Sequence, residues 1–440
     1  MPNVSASPSR FYESLIKAGI FSALCAIVFL AITSGSFDRF YGAQDYNIFS
    51  HTLVFILFFY SSISLLYLAV RGILCFLYHP FAPNGDDLPT VSVLIPAYNE
   101  GECVRKSICS VIDCDYPKHL LEIIIVDDGS RDDTWKYIEQ ERLLHPDLVT
   151  TFRFKKNRGK KKALALGFRK ARGEVIVTVD SDSVIDKNAL RNIVAPFVDP
   201  HVGAVTGKIR AVNRGSNLLT RMLNVQYIMG TEFYRSSQSV FRTVMCCAGA
   251  LSAYRRIVIE KVLDGWLTQK FLGQECTYGE DHALTNHILR SGSDTVYQRT
   301  AIIYTAVPET LRGFMRMFTR WNKGYLRESI VFLTFMLTKY RERNRVLPVC
   351  EFAFTFLMLP FQFLIVGYAA YCCTIDPILV LRFLAAVSLI TSLYMLFYIR
   401  FEKNSDFVYG LLYGYLYIFL GIWLLPYAAL TMRNNSWLTR

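Results

Sequence analysis

Two aspartates one residue apart, Asp180 and Asp182, follow the apolar run VIVTV. Carboxylates at i and i+2 beyond a strand end converge on one hard cation, and Mg2+ and Mn2+ take carboxylate and phosphate oxygens. Such an ion neutralises a nucleotide diphosphate as it departs. An Asp-x-Asp pair alone is common in solvated loops, so its weight here comes from its place after a strand. Asp127 and Asp128, with Gly129 and Ser130, close a second apolar run, LEIIIVD. That pattern suits a cap for the following helix, or hydrogen bonds to a uracil and its ribose. A third run, VSVLIP, closes on Ala97, Tyr98, Asn99 and Glu100. These offer backbone groups, an aromatic face and a carboxylate to the same base.

Further along lie the groups for charge and proton transfer. The stretch from 155 to 172 is the most basic in the chain. Most of its cations suit a solvated or membrane-facing surface. Lys160, just after Gly159 at an expected helix start, is placed to meet phosphate. Glu280 and Asp281 follow Gly279 and open a helical pattern. A carboxylate there either caps the helix or takes the proton of an attacking sugar hydroxyl, and Asp281 is the candidate base. Arg320 and Trp321 stand in an amphipathic segment. Arginine clamps a diphosphate and tryptophan stacks on a sugar ring; the plainer alternative is snorkelling with an aromatic belt. Trp437 and Arg440 pose the same choice.

The elements that must carry these residues alternate. Three strands, each ending in polar groups, are separated by helical patterns between about 88 and 307. This predicts an α/β domain with a parallel sheet and helices on both faces. Ligands of such sheets bind at the carboxyl ends of the strands.

The chain has 440 residues, 52% of them apolar and 14% aromatic, which is high for a soluble enzyme. The apolar residues gather at the two ends, in runs at about 18–34, 53–78, 352–373, 383–399 and 407–430. These predict membrane spans, with Arg71 snorkelling late in the second. Arg10 and Lys17 precede the first run, so the positive-inside rule places the N-terminus and the central domain in the cytosol. Five simple crossings would put the C-terminus outside, whereas Arg433 and Arg440 favour the inside. Either one run is re-entrant or the last, interrupted by Gly421 and Pro426, makes two short passes. The segment 308–346 reads as amphipathic interface helices. The net charge of +12 fits a membrane protein's cytosolic side, and no nucleic-acid module accompanies it. Eleven cysteines without a C-x2-C pair predict buried thiols in a reducing compartment, without disulfides or zinc.

Taken in order, VDDGS, DSDS, GED and RW resemble the family 2 inverting processive glycosyltransferases. The stretches GKIRAVNRGSNLLTR, VMCCAGALSAYRR, TNHILRSG, RWNKGYLRESI and the final SWLTR resemble hyaluronan synthases and rhizobial chitin-oligosaccharide synthases. The likeness covers about 88–440. It implies a GT-A type, mixed and mostly parallel sheet joined to a transmembrane bundle, in four regions: 1–87, 88–307, 308–346 and 347–440. It implies UDP-sugar donors, Mn2+ or Mg2+, a growing polysaccharide acceptor, and export through the chain's own helices in the plasma membrane. By the same resemblance Asp128, with Ala97, Tyr98 and Glu100, holds uridine, and Lys160 and Arg320 meet the diphosphate. Asp180 and Asp182 surround the metal, with Asp182 the more direct ligand. Asp281, beside Glu280, is the base; Cys247 and Gly249 line the acceptor site and Trp321 contacts the acceptor. Two departures stand out: Met317 where the family has Gln, and His282-Ala283 where it often has Arg-His. For the product, two N-terminal spans and RWNKGYLRESI favour hyaluronan, made from UDP-GlcNAc and UDP-glucuronate. VMCCAG, Glu280-Asp281 and VPETL lean toward a GlcNAc-only chitin product. Hyaluronan is placed ahead.

Overall fold

A computed structural model describes residues 10–33, 48–83, 85, 87–336, 338 and 345–432. At its centre is an eight-stranded sheet. In chain order the strands are β1 (Val91–Ala97), β2 (Leu121–Asp127), β3 (Val149–Arg153), β4 (Val175–Val179), β5 (Ser183–Ile185), β6 (Val202–Ala211), β7 (Leu251–Arg255) and, after a two-stranded ribbon of β8 (Lys270–Phe271) and β9 (Gln274–Glu275), β10 (Asp294–Thr305). Their spatial order is β3-β2-β1-β4-β7-β6-β10-β5. The pairs β1–β2, β2–β3, β1–β4 and β6–β10 are parallel. The pairs β4–β7, β6–β7 and β5–β10 are antiparallel. The sheet is therefore mixed, as the resemblance implied, rather than wholly parallel.

The inner strands are β-branched on both faces because both faces are covered. Successive side chains alternate. Val91, Val93, Ile95, Ile123, Ile125, Val175 and Val177 enter one core with Val104, Ile108 and Ile138 from covering helices. Leu94, Ile124, Val126 and Ile176 enter the other with Ala163, Leu164, Phe168, Trp266 and Leu284. Each such aliphatic side chain contributes roughly 1.5–3 kcal/mol on burial. From β1 the chain steps outward to β2 and β3, then returns to β4 on the opposite side. That reversal leaves a crevice beyond the carboxyl ends of β1 and β4, where the sequence placed its polar groups.

Five helices are long and apolar enough to cross a membrane, by length and composition: Glu13–Thr33, Phe59–Leu77, Val346–Thr374, Leu379–Glu402 and Phe407–Leu430. Their many outward-facing side chains, such as Phe29, Leu66 and Leu396, suit lipid. Leu24, Met395, Tyr398, Tyr409 and Leu411 pack on the helix Leu218–Met229 and on Phe314 and Phe318. Charged clasps reinforce the junction: Glu402 receives Lys208 and Arg210 of β6 at 2.8 Å, and Glu13 receives Arg221 at 2.8 Å. Arg71 does not snorkel. It is 3% exposed, paired with Glu351 at 2.5 Å and stacked on Tyr67 and Tyr234, because a neighbouring helix supplies its counter-ion inside the bundle.

The last apolar run forms helix Phe407–Leu416, a π-helical turn Tyr417–Gly421 and helix Leu424–Leu430. Tyr409 near its start accepts from Arg221 at 3.0 Å. Just past its end, the Met432 carbonyl accepts from Tyr278 at 3.0 Å. Both ends thus meet the central domain. Among the described residues of the amphipathic segment, Leu311–Met336 forms one continuous helix. Arg433, Trp437 and Arg440 lie outside the described residues. All described cysteines are free thiols.

Candidate active site

The β1 and β2 ends are fastened to each other: the Asp128 N–H donates to the Ala97 carbonyl at 2.8 Å. Asp128, 3% exposed, accepts the backbone N–H groups of Arg158 at 2.7 Å and Gly159 at 2.8 Å, one on each oxygen. Burial raises its carboxyl above the ordinary range, and the two N–H donors offset part of that. Asp128 therefore pins the loop that delivers Lys160. Gly129 makes this possible. Its φ is +75°, and a Cβ there would lie 2.6 Å from the Lys156 backbone, so only glycine fits. Ala97 is buried, while Tyr98 and Glu100 are half-buried at the rim. The Glu100 N–H is held by Thr134 Oγ1 at 2.8 Å.

Lys160 opens the helix Lys160–Lys170 after Gly159, whose φ is +91°. Its Nζ bonds Asp180 Oδ1 and lies 3.6 Å from Glu280 Oε1. Burial works against its charge, but Asp180, Glu280 and Asp281 outweigh it and push its pKa up. It is firmly an ammonium at neutral pH. Asp281 sits in the first turn of the helix Glu280–Arg290. Its Oδ2 accepts the Gly249 N–H at 3.1 Å, and its Oδ1 accepts the His282 N–H at 2.8 Å. Asp281 is therefore not the helix N-cap, a place taken by Gly279 without a side-chain capping bond; its carboxylate turns to the Gly249 segment instead. Gly249 lies among the three charged groups: a Cβ there would stand 3.2 Å from Lys160 Nζ, 3.8 Å from Asp180 Oδ1 and 4.0 Å from Asp281 Oδ2. A cleft opens here, lined by Pro96, Lys160, Thr178, Asp180, Gly249 and Asp281 among others.

The amphipathic helix Leu311–Met336 packs against the Gly279 turn that leads into Glu280 and Asp281. Gly279 has φ +67° and meets Gly324 so closely that a Cβ would lie 3.0 Å from the Gly324 Cα. Arg327 donates to the Tyr278 carbonyl at 2.5 Å, and Glu328 receives Asn286 at 3.0 Å. Arg320, Gly324 and Arg327, at i, i+4 and i+7, share one helix face. Trp321 is 39% exposed, with its ring edge-on to Tyr227 at 5.7 Å. Burial raises the Tyr227 phenol, Arg320 pulls it back and Asp182 adds to the rise, so all three share one neighbourhood. The Tyr227 hydroxyl also reaches the Met317 sulfur at 3.6 Å.

The structure thus gathers Asp180, Lys160, Gly249, Glu280 and Asp281 around the cleft, with Asp182, Arg320 and Trp321 alongside. Asp128, Ala97, Tyr98 and Glu100 occupy the adjoining strand ends. Cys247 differs from its neighbours: it is fully buried, its N–H is held by Thr285 Oγ1 at 2.9 Å, and burial pushes its thiol up to about 12. It anchors the segment that presents Gly249. Sequence reasoning missed Tyr227 and Gly324. A tyrosine in an apolar helix and a lone glycine carry no local signal of such roles.

The donor set suits a hard divalent ion that also takes substrate oxygens. Among the described residues no three His, Cys, Asp or Glu side chains gather as a closed cage. Mg2+-type ions are commonly held by one or two carboxylates plus phosphates and water. The ammonium of Lys160 already rests on Asp180 as a stand-in cation.

Fold and site together define a membrane-embedded glycosyltransferase with a GT-A domain. The Glycosyl transferase family 2 pattern matches residues 92–263. The hyaluronan synthase of Streptococcus pyogenes serotype M3 is 35% identical over 390 residues, 87% of this chain and 90% of that one. N-acetylglucosaminyltransferases of Azorhizobium caulinodans (31% over 363 residues, 80% and 87% of the two chains) and Rhizobium meliloti (34% over 247 residues, 56% and 58%) are also similar. A mannosyltransferase from Pyrobaculum calidifontis, solved with GDP-Man and Mn2+, superposes with a TM-score of 0.57 at 22% identity, over 84% of this chain and 98% of that one. The chain belongs to glycosyl transferase family 2, alongside the hyaluronan synthases and rhizobial N-acetylglucosaminyltransferases.

Proposed function

We propose that the protein is a processive, inverting hyaluronan synthase. It adds GlcNAc and glucuronate from UDP donors to a growing chain at the cytosolic face of the plasma membrane, and exports the chain between its own helices. The observation that carries this is the convergence of Asp180, Lys160, Gly249 and Asp281 on one cleft beside Trp321 on a membrane-docked helix. The likeness to the streptococcal synthase along 87% of the chain favours hyaluronan over a GlcNAc homopolymer. The division into residues 1–87, 88–307, 308–346 and 347–440 follows from the same reading.

Ala97, Tyr98, Glu100 and Asp128 hold uridine at the rim. Lys160 and Arg320 bind the diphosphate. Asp281, oriented by the Gly249 N–H, takes the proton of the acceptor hydroxyl as it attacks, with Glu280 beside it. Trp321 receives the acceptor sugar, and Cys247 fixes the Gly249 segment. Asp182 and Asp180 hold Mn2+ or Mg2+, which when bound neutralises the departing diphosphate. The test supplies purified protein with Mn2+ or Mg2+ and UDP-GlcNAc, with and without UDP-glucuronate, and digests the product with hyaluronidase or chitinase. Hyaluronidase-sensitive polymer that needs both donors is expected. Chitinase-sensitive polymer from UDP-GlcNAc alone rejects the reading.

A further inference from the structure

The helix Leu218–Met229 runs straight into a π-helical turn, Gly230–Arg235. Such turns insert one extra residue and are frequent at functional sites. The insertion brings position i+8 into line where i+7 would otherwise stand, so Arg235 shares a face with Tyr227. Tyr227 is the ring that meets Trp321. Arg235 is half-buried, and its Nη1 is shut off from solvent without a hydrogen-bonding partner. Its charge reaches the Tyr227 phenol and the thiols of Cys246 and Cys247, in the segment that leads to Gly249.

Neighbouring cations are treated differently. Glu232, the acid of the same turn, is taken by Lys208 at 2.7 Å and Arg299 at 2.5 Å. Arg71 has Glu351. Among the described residues no carboxylate pairs with Arg235. A guanidinium with one nitrogen shut off from solvent and no counter-ion is incompletely satisfied, and a planar carboxylate matches its fork bidentately.

We propose that Arg235 binds the carboxylate of a uronate unit in the acceptor chain beside Trp321, and so selects an acid-bearing polymer over a neutral one. This rests on the hyaluronan reading and adds the residue that would enforce it. Glucuronate offers one carboxylate in every disaccharide, whereas a GlcNAc homopolymer offers none.

The test measures binding of a hyaluronan tetrasaccharide and of its methyl ester to the full-length protein in nanodiscs, for wild type, Arg235→Gln and Arg235→Lys. UDP binding serves as the check that each variant is folded. Loss of one partner of a desolvated charge pair predicts a Kd for the free acid raised roughly 30-fold or more in Arg235→Gln. Esterification should weaken wild-type binding by a similar factor and leave Arg235→Gln unchanged, while Arg235→Lys recovers part of the loss. Equal binding of acid and ester by wild type overturns the proposal. So does an Arg235→Gln variant that still prefers the acid as wild type does. If wild type incorporates glucuronate but the variants bind alike, this inference alone fails. If wild type never incorporates glucuronate, the hyaluronan reading fails and takes it along.

Discussion

Replacing Gly249 with alanine separates stability from chemistry at the cleft. The Gly249 backbone is outside the left-handed region, so alanine fits its dihedral angles. The added Cβ would meet Lys160 Nζ at 3.2 Å, Asp180 Oδ1 at 3.8 Å and Asp281 Oδ2 at 4.0 Å. The closest of these is the tip of a flexible side chain, which yields by a few tenths of an ångström. Its ion pair with Asp180 is a quarter exposed on each side, worth up to about 1 kcal/mol. Gly→Ala substitution stabilises by about 0.4–1 kcal/mol through the unfolded chain. The two nearly cancel, so the unfolding midpoint should barely move. Turnover should not survive as well. The methyl group occupies the space where Lys160, Asp180 and Asp281 meet, and misplacement of reacting groups by 1 Å costs on the order of 10²-fold. A fall in kcat/KM of about 100-fold corresponds to about 2.7 kcal/mol of transition-state stabilisation. The assay is UDP release from purified protein, with thermal unfolding followed in the same detergent. Full turnover at an unchanged midpoint would show that the reacting atoms do not pass Gly249. A large drop in midpoint would show that the segment is structural.

Asp281→Asn should lower transfer by about 10²- to 10⁴-fold while UDP binding persists, measured by turnover and by titration with UDP; normal turnover excludes Asp281 as the base. Gly324→Ala would place a Cβ 3.3 Å from the Gly279 Cα, where only backbone can move, so a loss of about 1–3 kcal/mol and weakened acceptor use are expected from unfolding and elongation assays. Glu351→Gln leaves Arg71 buried without its counter-ion, and should destabilise by about 3–5 kcal/mol in thermal unfolding. His282 is buried and its pKa is lowered below 6.5, chiefly by that burial. The folded state binds its proton less readily than the unfolded one, so its contribution is complete above pH 6.5 and is lost as pH falls below it. His282→Gln should flatten the midpoint-against-pH curve in that window.

What was legible in the sequence was local. The β-branched runs before Tyr98, Asp128 and Asp180 fixed three adjacent parallel strands, because a strand buried on both faces must be apolar throughout. The antiparallel insertion of β7 between β4 and β6 was not legible, since LSAYR pairs equally well in either direction. Asp281 was found because an acid after glycine at a helix start is visible in a few residues. Arg71 was misjudged because its partner, Glu351, lies 280 positions away. Tyr227 and Gly324 escaped for the same reason: their roles exist only once the amphipathic helix is laid across the domain.

Composition counts five spans, but contacts argue for a different passage. An odd number of crossings would carry the chain after Phe407–Leu430 to the side opposite the central domain. Instead Tyr409 bonds Arg221 at one end of that run and Met432 bonds Tyr278 at the other. A segment whose two ends touch the same domain fits a re-entrant passage better than a simple crossing. The returning segment also has a use. Tyr413 packs in one cluster with Tyr227 and Phe318, the two aromatic residues that flank Trp321. The run therefore packs against the same aromatic cluster as Trp321. A helix that crossed the bilayer and stayed on the far side would leave Met432 out of reach of Tyr278.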